Sequence, residues 1–361
     1  MRFVRSGNET IAIVMLVKPI KFHQKLPVLD PFSDHELQDN FGRKLTYLRV
    51  SVTDRCNMRC DYCRPTADAY KAEPRSHILD FEEIERIARV ATGLGVTKLR
   101  ITGGEPLVRR DLTALINRLA SIPGITDLAM TTNATLLGKY ASDLASAGLG
   151  RINISIDSLN ALHFRKLTGG ELAPVLAGIM AAKEAGLFPI KLNSVLMRGI
   201  NDDEVAKLID FALENDATIR FIELMPMKQG MNWGQYYISI DEVLQRDDVR
   251  ERVDIEAPLL TANTAARYLP LKNGVGKVGF IMPMSERFCE GCNRLRLTSD
   301  GGLRSCLPDD DQLNLRDLIR SGGSDNDIRS VFLRSAMIKP EIGIYDFDAD
   351  SEKRSMIEIG G

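Results

Sequence analysis

Strand-like and helix-like segments alternate through the middle of this chain at a spacing of roughly thirty residues, and that rhythm restricts the fold more than any other feature. Leu48, Val50 and Val52 alternate as on a strand. Asp80 and Glu83 form a helix-start signature, and Ile84, Ile87, Ala88 and Ala91 then recur at helical spacing until Gly93 and Gly95. Further strands are expected over 96–102, 125–131, 151–156, 189–196 and 218–224, with helices around 111–121, 136–147, 172–185 and 203–214. Six such βα units predict either an incomplete (βα)6 TIM-like barrel or a doubly wound sheet, and both gather ligands at the carboxyl ends of their strands. No Gly-x-Gly-x-x-Gly follows the first strand, which favours the barrel.

Around this core we expect an N-terminal arm over 1–40, a barrel over 41–230 and a C-terminal domain over 231–361 that closes the barrel mouth. The arm carries Pro19, Pro27 and Pro31. Its apolar run over 11–17 has the outline of a signal peptide, but no small-residue cleavage site precedes Lys18-Pro19, and Met15 offers an alternative start. With 44% hydrophobic and 27% charged residues the chain has material for a large core, which excludes disorder. A net charge of −2 argues against nucleic-acid binding through bulk positive charge, and no apolar run is long enough to span a membrane.

The six cysteines fall in two groups, Cys56-x3-Cys60-x2-Cys63 and Cys289-x2-Cys292-x13-Cys306. Disulfides are typical of small secreted chains; close thiolate groups in a chain this size point to a soft metal or an iron–sulfur centre. The first group follows directly on the first strand, at the top of the barrel. A structural zinc site normally needs four ligands, and His23, His35, His77 and His163 stand at no ligand-like offset. Two clusters of four cysteines would need eight, so each of the two groups is read as a three-ligand site on a 4Fe–4S cluster with one iron open.

The Cys-x3-Cys-x2-Cys pattern, with Tyr62 before its last cysteine and Gly103-Gly-Glu-Pro106 at the next strand end, resembles the radical S-adenosylmethionine superfamily. That resemblance implies a 4Fe–4S cluster whose open iron is chelated by S-adenosylmethionine and whose reduction yields a 5′-deoxyadenosyl radical. The second cysteine group narrows the likeness to the GTP 3′,8-cyclase family. The match includes Ser51-Val-Thr-Asp-Arg-Cys56, Arg100-Ile-Thr-Gly-Gly-Glu-Pro-Leu107, Thr131-Thr-Asn133, Gly199-Ile-Asn-Asp-Asp203, Arg220-Phe-Ile-Glu-Leu-Met225, Cys292-Asn-Arg-Leu-Arg296 and the terminal Gly-Gly. It implies hydrogen abstraction from C3′ of GTP, attack on guanine C8, and a second cluster that binds the guanine edge.

By the same resemblance Tyr62, Gly104, Ser155 and Met225 contact S-adenosylmethionine. Arg49, Arg100, Thr131, Lys191, Arg294 and Arg296 contact GTP, and Arg294, Arg296, Gly360 and Gly361 serve the reaction. The charges make physical sense, because a triphosphate carries about four negative charges and the chain has no Gly-x-x-x-x-Gly-Lys-Ser/Thr loop to hold it. Arg294 and Arg296 alternate, so they share one face of an extended segment beside Cys292. Where the family usually has glycine after Thr-Thr-Asn, this chain has Ala134, which removes no ligand. The resemblance further implies an external one-electron reductant, hand-over of a labile product to cyclic pyranopterin monophosphate synthase, a homodimer and a cytoplasmic setting. Two alternatives remain open: a peptide maturase of the same superfamily, which usually carries more C-terminal cysteines, and a non-catalytic zinc-binding scaffold.

Overall fold

The computed structural model describes residues 36–64, 72–227, 231–261, 265–309, 312–345 and 355–360. Most of the expected N-terminal arm, including the apolar run over 11–17, lies outside the described residues.

Six strands form the centre: β1 (Tyr47–Ser51), β2 (Lys98–Thr102), β3 (Asp127–Thr132), β4 (Arg151–Ser155), β5 (Ile190–Leu196) and β6 (Thr218–Glu223). Each is parallel to the next. The crossovers run through α1 (Phe81–Gly93), α2 (Leu112–Ala120), α3 (Leu137–Ser146), α4 (Ala161–Thr168), α5 (Leu172–Glu184) and α6 (Val205–Glu214). The start of α1 is the capping box expected from Asp80 and Glu83: Glu83 N donates to Asp80 Oδ1 at 2.7 Å and Asp80 N donates to Glu83 Oε2 at 2.8 Å. The one added helix is α4, which the periodicity did not separate from the loop before α5. Asn160 starts it, accepting from Leu162 N and His163 N, and Gly169 at φ 67° ends it.

The strands present two unlike faces. Leu48, Val50, Leu99, Ile101, Ile152, Ile154, Leu192 and Phe221 are buried under the helices. Each such side chain is worth ~1.5–3 kcal/mol of burial. The alternate positions, including Tyr47, Arg49, Arg100, Thr131, Asn153, Ser155, Lys191 and Arg220, face the inside.

Past residue 230 come three short helices, α7 (Trp233–Tyr236), α8 (Ile240–Leu244) and α9 (Asp247–Arg250). Then follow β7 (Leu260–Thr261), β8 (Arg267–Pro270), β9 (Lys277–Ile281), β10 (Arg294–Leu297), β11 (Gly302–Arg304) and β12 (Gln312–Asn314). Last come α10 (Leu315–Arg320), α11 (Asp325–Met337) and α12 (Met356–Ile359). This segment was expected to close the barrel at its mouth. Its tail reaches the strand exits at Gly360, and its strands extend the core at both sides: β9 adds in parallel to β6, β10 adds in parallel to β1, and the sheet runs β12-β11-β10-β1-β2-β3-β4-β5-β6-β9-β8-β7. The physical reason is that six open parallel strands leave two unpaired edges, and the C-terminal strands satisfy both. Arg320 to Glu83 at 2.7 Å and Arg86 to Asp325 at 2.7 Å fasten α10 and α11 to α1. Among the described residues, no helix is long and apolar enough to cross a membrane.

Candidate functional site

The first cysteine loop leaves β1 at Ser51 and is knitted to the loop after β2. Gly104 N donates to Thr53 O at 2.7 Å, and Glu105 N donates to Arg55 O at 2.8 Å. A Cβ at Gly104 would stand 2.3 Å from Arg55 O, and one at Gly103 would stand 2.6 Å from Thr53 O. The glycines therefore let two protein backbones come together. Glu105 is likewise engaged within the protein, accepting from Thr132 Oγ1 at 2.7 Å, Asn133 N at 2.7 Å and Leu107 N at 3.0 Å. Burial outweighs these donors and pushes its carboxyl up to about 7.

Asn133 reaches back to the cysteines: its Nδ2 lies 3.8 Å from Cys56 Sγ, which also receives Met58 N at 3.4 Å. Burial pushes the Cys56 and Cys60 thiols up, aided by Glu105 at Cys56 and by Cys63 and Asp157 at Cys60. Tyr62 donates its hydroxyl to Asp157 Oδ2 at 2.7 Å, and burial raises Asp157 to about 6. Three half-buried soft donors that sense one another, with N–H groups aimed at one sulfur, fit an iron–sulfur cluster. Among the described residues, no three His, Cys, Asp or Glu side chains converge as ligands of a single metal ion.

The second group forms one cavity. Cys289, Cys292 and Cys306 line it together with Arg294, Arg296, Phe288, Gly343 and Tyr345. Burial alone would raise the Cys292 thiol, but Arg294 and Lys339 bring it down to about 7. Lys339 is buried and donates to Arg294 O at 3.0 Å and Ser305 O at 2.5 Å, so its ammonium ties the Cys292 strand to the Cys306 turn. Arg43 Nη1 donates to Cys289 O at 2.7 Å and supports the third corner. Tyr345 donates to Met225 Sδ at 3.4 Å, which joins this cavity to the exit of β6. Three thiols in one basic cavity also fit a cluster.

Between the two groups runs a row of arginines. Register pairs Arg304 with Arg296, Arg296 with Arg49, and Arg49 with Arg100, on four adjacent strands. Neighbouring strands lie ~4.8 Å apart, and like charges directly opposite repel. Burial and Arg296 lower Arg49 to about 9; burial and Arg294 lower Arg296 to about 10. On a second row Thr131 pairs with Asn153 and Asn153 with Lys191, where burial and Arg220 bring Lys191 down to about 8. Arg100 Nη1, Arg296 Nη1, Thr131 Oγ1 and Asn153 Oδ1 are buried without a hydrogen-bond partner. Compressed cations with unsatisfied N–H groups on Arg100 and Arg296 are chemically suited to a polyanion.

The structure thus brings Arg49, Arg100, Thr131, Lys191, Arg294 and Arg296 to the inner face, within the strands and not only at their ends. Ser155 closes β4 on that face. Gly360, at φ 79°, seats against the exits of β1 and β2: a Cβ there would lie 2.7 Å from Ser51 Cβ and 2.9 Å from Thr102 Oγ1. Gly361 lies outside the described residues. Sequence reasoning missed Arg220, Arg304 and Glu223. Arg220 donates to Asn193 Oδ1 at 2.9 Å, and Gly279 leaves the space it fills. Glu223 is fully buried, accepting from Ser285 N at 2.9 Å and Met284 N at 3.0 Å, and it fastens the approach to Cys289 onto the end of β6. Period-two alternation along β6 was the available signal for Arg220.

The chain is similar to known proteins along most of its length. The model of the radical SAM superfamily matches residues 50–212, and that of the molybdenum cofactor synthesis C-terminal region matches 217–343. A GTP 3′,8-cyclase of Thermodesulfovibrio yellowstonii is 44% identical over 327 residues, covering 90% of this chain and 100% of the relative. One of Moorella thermoacetica is 42% identical with the same coverage. Among solved structures, Streptococcus suis SuiB shares the fold at a TM-score of 0.53 and 17% identity, over 82% of this chain and 68% of that one. The chain belongs to the GTP 3′,8-cyclase family of the radical SAM superfamily.

Proposed function

We infer that this enzyme converts GTP to (8S)-3′,8-cyclo-7,8-dihydroguanosine 5′-triphosphate, the first step of molybdenum cofactor biosynthesis. The observation that carries the reading is the arginine row on the inner face, set between two three-thiol groups. Membership of the superfamily brings a 4Fe–4S cluster and S-adenosylmethionine. When bound, they supply the radical chemistry that removes hydrogen from C3′.

The finer assignments are our proposal. Residues 41–230 form the radical core and 231–361 the cluster-binding region. Cys56, Cys60 and Cys63 hold the first cluster; Cys289, Cys292 and Cys306 hold a second. Tyr62, Gly104, Ser155 and Met225 hold S-adenosylmethionine, with the acids Glu105 and Asp157 favouring its cationic groups. Arg49, Arg100, Thr131 and Lys191 bind the triphosphate, supported by Arg220 and Asn153. Arg294 and Arg296 connect the nucleotide to the second cluster and fix its orientation. Gly360 and Gly361 serve the radical step, and Gly360 suits its place at the strand exits because Ser51 and Thr102 leave no room for a side chain. An external reductant supplies single electrons. The labile product passes to cyclic pyranopterin monophosphate synthase, and the enzyme works as a cytoplasmic homodimer.

The test is anaerobic incubation of the reconstituted protein with GTP, S-adenosylmethionine and a reductant, followed by a search for cyclised nucleotide. Product from ATP but not GTP rejects the substrate. Zinc in place of iron after anaerobic purification rejects the enzyme reading. Two clusters give about eight irons per chain.

A further inference from the structure

Tyr47 stands on the inner face of the sheet, among its arginines. On β1 it shares a face with Arg49, and its register partners are Arg294 on β10 and Lys98 on β2. Arg100 on β2 donates its Nε to the phenolic oxygen and lies 5.8 Å from the ring centroid. Arg151 on β4 and Arg220 on β6 feel its charge as well. The nearby carboxylate, Asp127 on β3, is committed to Arg151 Nε at 2.8 Å. Arg100 keeps Nη1 buried and without a partner. One edge of its guanidinium is therefore held by Tyr47 while another nitrogen is left to be used.

We propose that Tyr47 is a positioning residue for the triphosphate, holding Arg100 through its phenolic oxygen, and that in alkaline solution it is also the counter-charge of the arginine row and takes up a proton when a polyphosphate arrives. The inference rests on the nucleotide reading given above. Without an anion, arginines on neighbouring strands repel, and a phenolate between Arg49, Arg100 and Arg294 offsets part of that cost. Burial alone would raise the phenol, yet Arg100, Arg49 and Arg294 together bring it down to about 8. A bound triphosphate, with about four negative charges, reverses this field and restores the phenol O–H. Protonated, Tyr47 still accepts from Arg100 Nε and turns its own O–H outward as a donor.

The sign of the pH effect follows. Below about 8 the phenol is already protonated and binding moves no proton at Tyr47. Above it, binding must return a proton, so affinity falls as pH rises. Lys191, which titrates at about 8, gives a slope of the same sign because it must be charged to bind phosphate. Arg49, brought down to about 9, adds to it at higher pH. Tyr47→Phe keeps both cations and the ring, so the difference between wild type and variant isolates the phenol.

Two readouts on the cluster-loaded protein decide the matter. The first is the ultraviolet tyrosinate band of the wild type, read as a difference against Tyr47→Phe. It titrates near pH 8, well below Tyr62, Tyr237 and Tyr345, which burial raises. Saturating GTP suppresses it. The second is the dissociation constant of GTP and of inorganic triphosphate by equilibrium dialysis from pH ~7 to ~9.5. Above the midpoint the wild-type constant rises up to about tenfold more per pH unit than that of Tyr47→Phe. A band that GTP leaves unchanged, or parallel pH curves for the two proteins, overturns the proposal. The band is read in the wild type, so a poorly folded variant does not rescue it. Triphosphate binding with the expected pH difference but no binding of GTP would overturn the nucleotide reading and leave the role of the phenol standing.

Discussion

The two cysteine groups have the same number of thiols and opposite surroundings. Around the first stand carboxyl groups: Glu105 acts on Cys56 and Asp157 on Cys60, and both thiols lie above their ordinary range. Around the second stand cations: Arg294 and Lys339 hold Cys292 at about 7, while at Cys306 burial outweighs Lys339 and Arg296 and raises the thiol. Burial is the largest influence at Cys56, Cys60 and Cys292 and pushes each the same way, so the neighbours decide the difference. The lesson is electrostatic sorting between the two cysteine groups. A sulfonium and an ammonium are favoured on the acidic side, and a polyphosphate on the basic side, before any specific contact is made.

The largest test of this contrast removes one group at a time. Cys60→Ala and Cys292→Ala should each lower iron by about four atoms per chain. Cys60→Ala abolishes formation of both 5′-deoxyadenosine and cyclised nucleotide. Cys292→Ala keeps cleavage of S-adenosylmethionine and loses the cyclised product. Equal loss of cleavage in both variants would erase the distinction between the two sides.

A smaller effect is expected from Arg296→Ala. It deletes a buried cation with an unpartnered Nη1, at the junction of the arginine row and the second cysteine cavity. Loss of one buried, charge-assisted contact costs about 2 kcal/mol or more, so GTP binding weakens by at least about thirtyfold. Binding of S-adenosylmethionine stays within about twofold, because the site proposed for that ligand lies by the acidic cysteine group. Calorimetric titration of both ligands checks this, and equal weakening of both would mean that the sides are not electrically separate.

Changing the neighbours while leaving the thiols in place sharpens the comparison. Lys339→Met keeps most of the length of the side chain and removes its charge, so Cys292 should rise from about 7 toward its ordinary value. In the metal-free protein the pH midpoint of Cys292 alkylation, followed by mass spectrometry, moves up by about one unit. At neutral pH the thiolate fraction falls. The mirror change, Asp157→Asn, lowers the Cys60 midpoint. Shifts of the same sign in both variants would contradict opposite surroundings.

How much of this was legible depended on distance along the chain. The six βα units could be read because Leu48 and Val50, or Ile84, Ile87 and Ala88, report their own element through local periodicity. The cysteine groups were legible because their spacing is short. The lateral closure was not, since β10 has four residues and pairs with β1 from far along the chain, Arg296 beside Arg49. Nothing local in Arg294-Leu-Arg-Leu297 names its partner strand. For the same reason the alternation of Arg294 and Arg296 revealed a shared face but not the row completed by Arg49, Arg100 and Arg304. The surroundings of Glu105 were not legible either, because a motif does not state which donors burial will bring to a carboxylate: Thr132 and Asn133 arrive from the next strand.

The smallest effect concerns Ala134, which follows the asparagine that touches Cys56. Ala134 sits at φ 61°, a left-handed conformation costing ~1–2 kcal/mol for a residue with a Cβ. Glycine would relieve that strain, but two terms oppose it. The Ala134 methyl is fully buried against α5, where a Cβ at Gly178 would stand 3.1 Å from it, and removing a buried methyl costs ~0.8 kcal/mol. Glycine also adds ~0.5–1 kcal/mol of backbone entropy to the unfolded chain. The terms nearly cancel, so Ala134→Gly should change unfolding free energy by less than about 1 kcal/mol in chemical denaturation. It should, however, loosen the turn that aims Asn133 at Cys56. Alkylation of Cys56 then changes in rate while that of Cys292 does not, and a change at Cys292 would show that the two cysteine neighbourhoods are mechanically coupled across the arginine row.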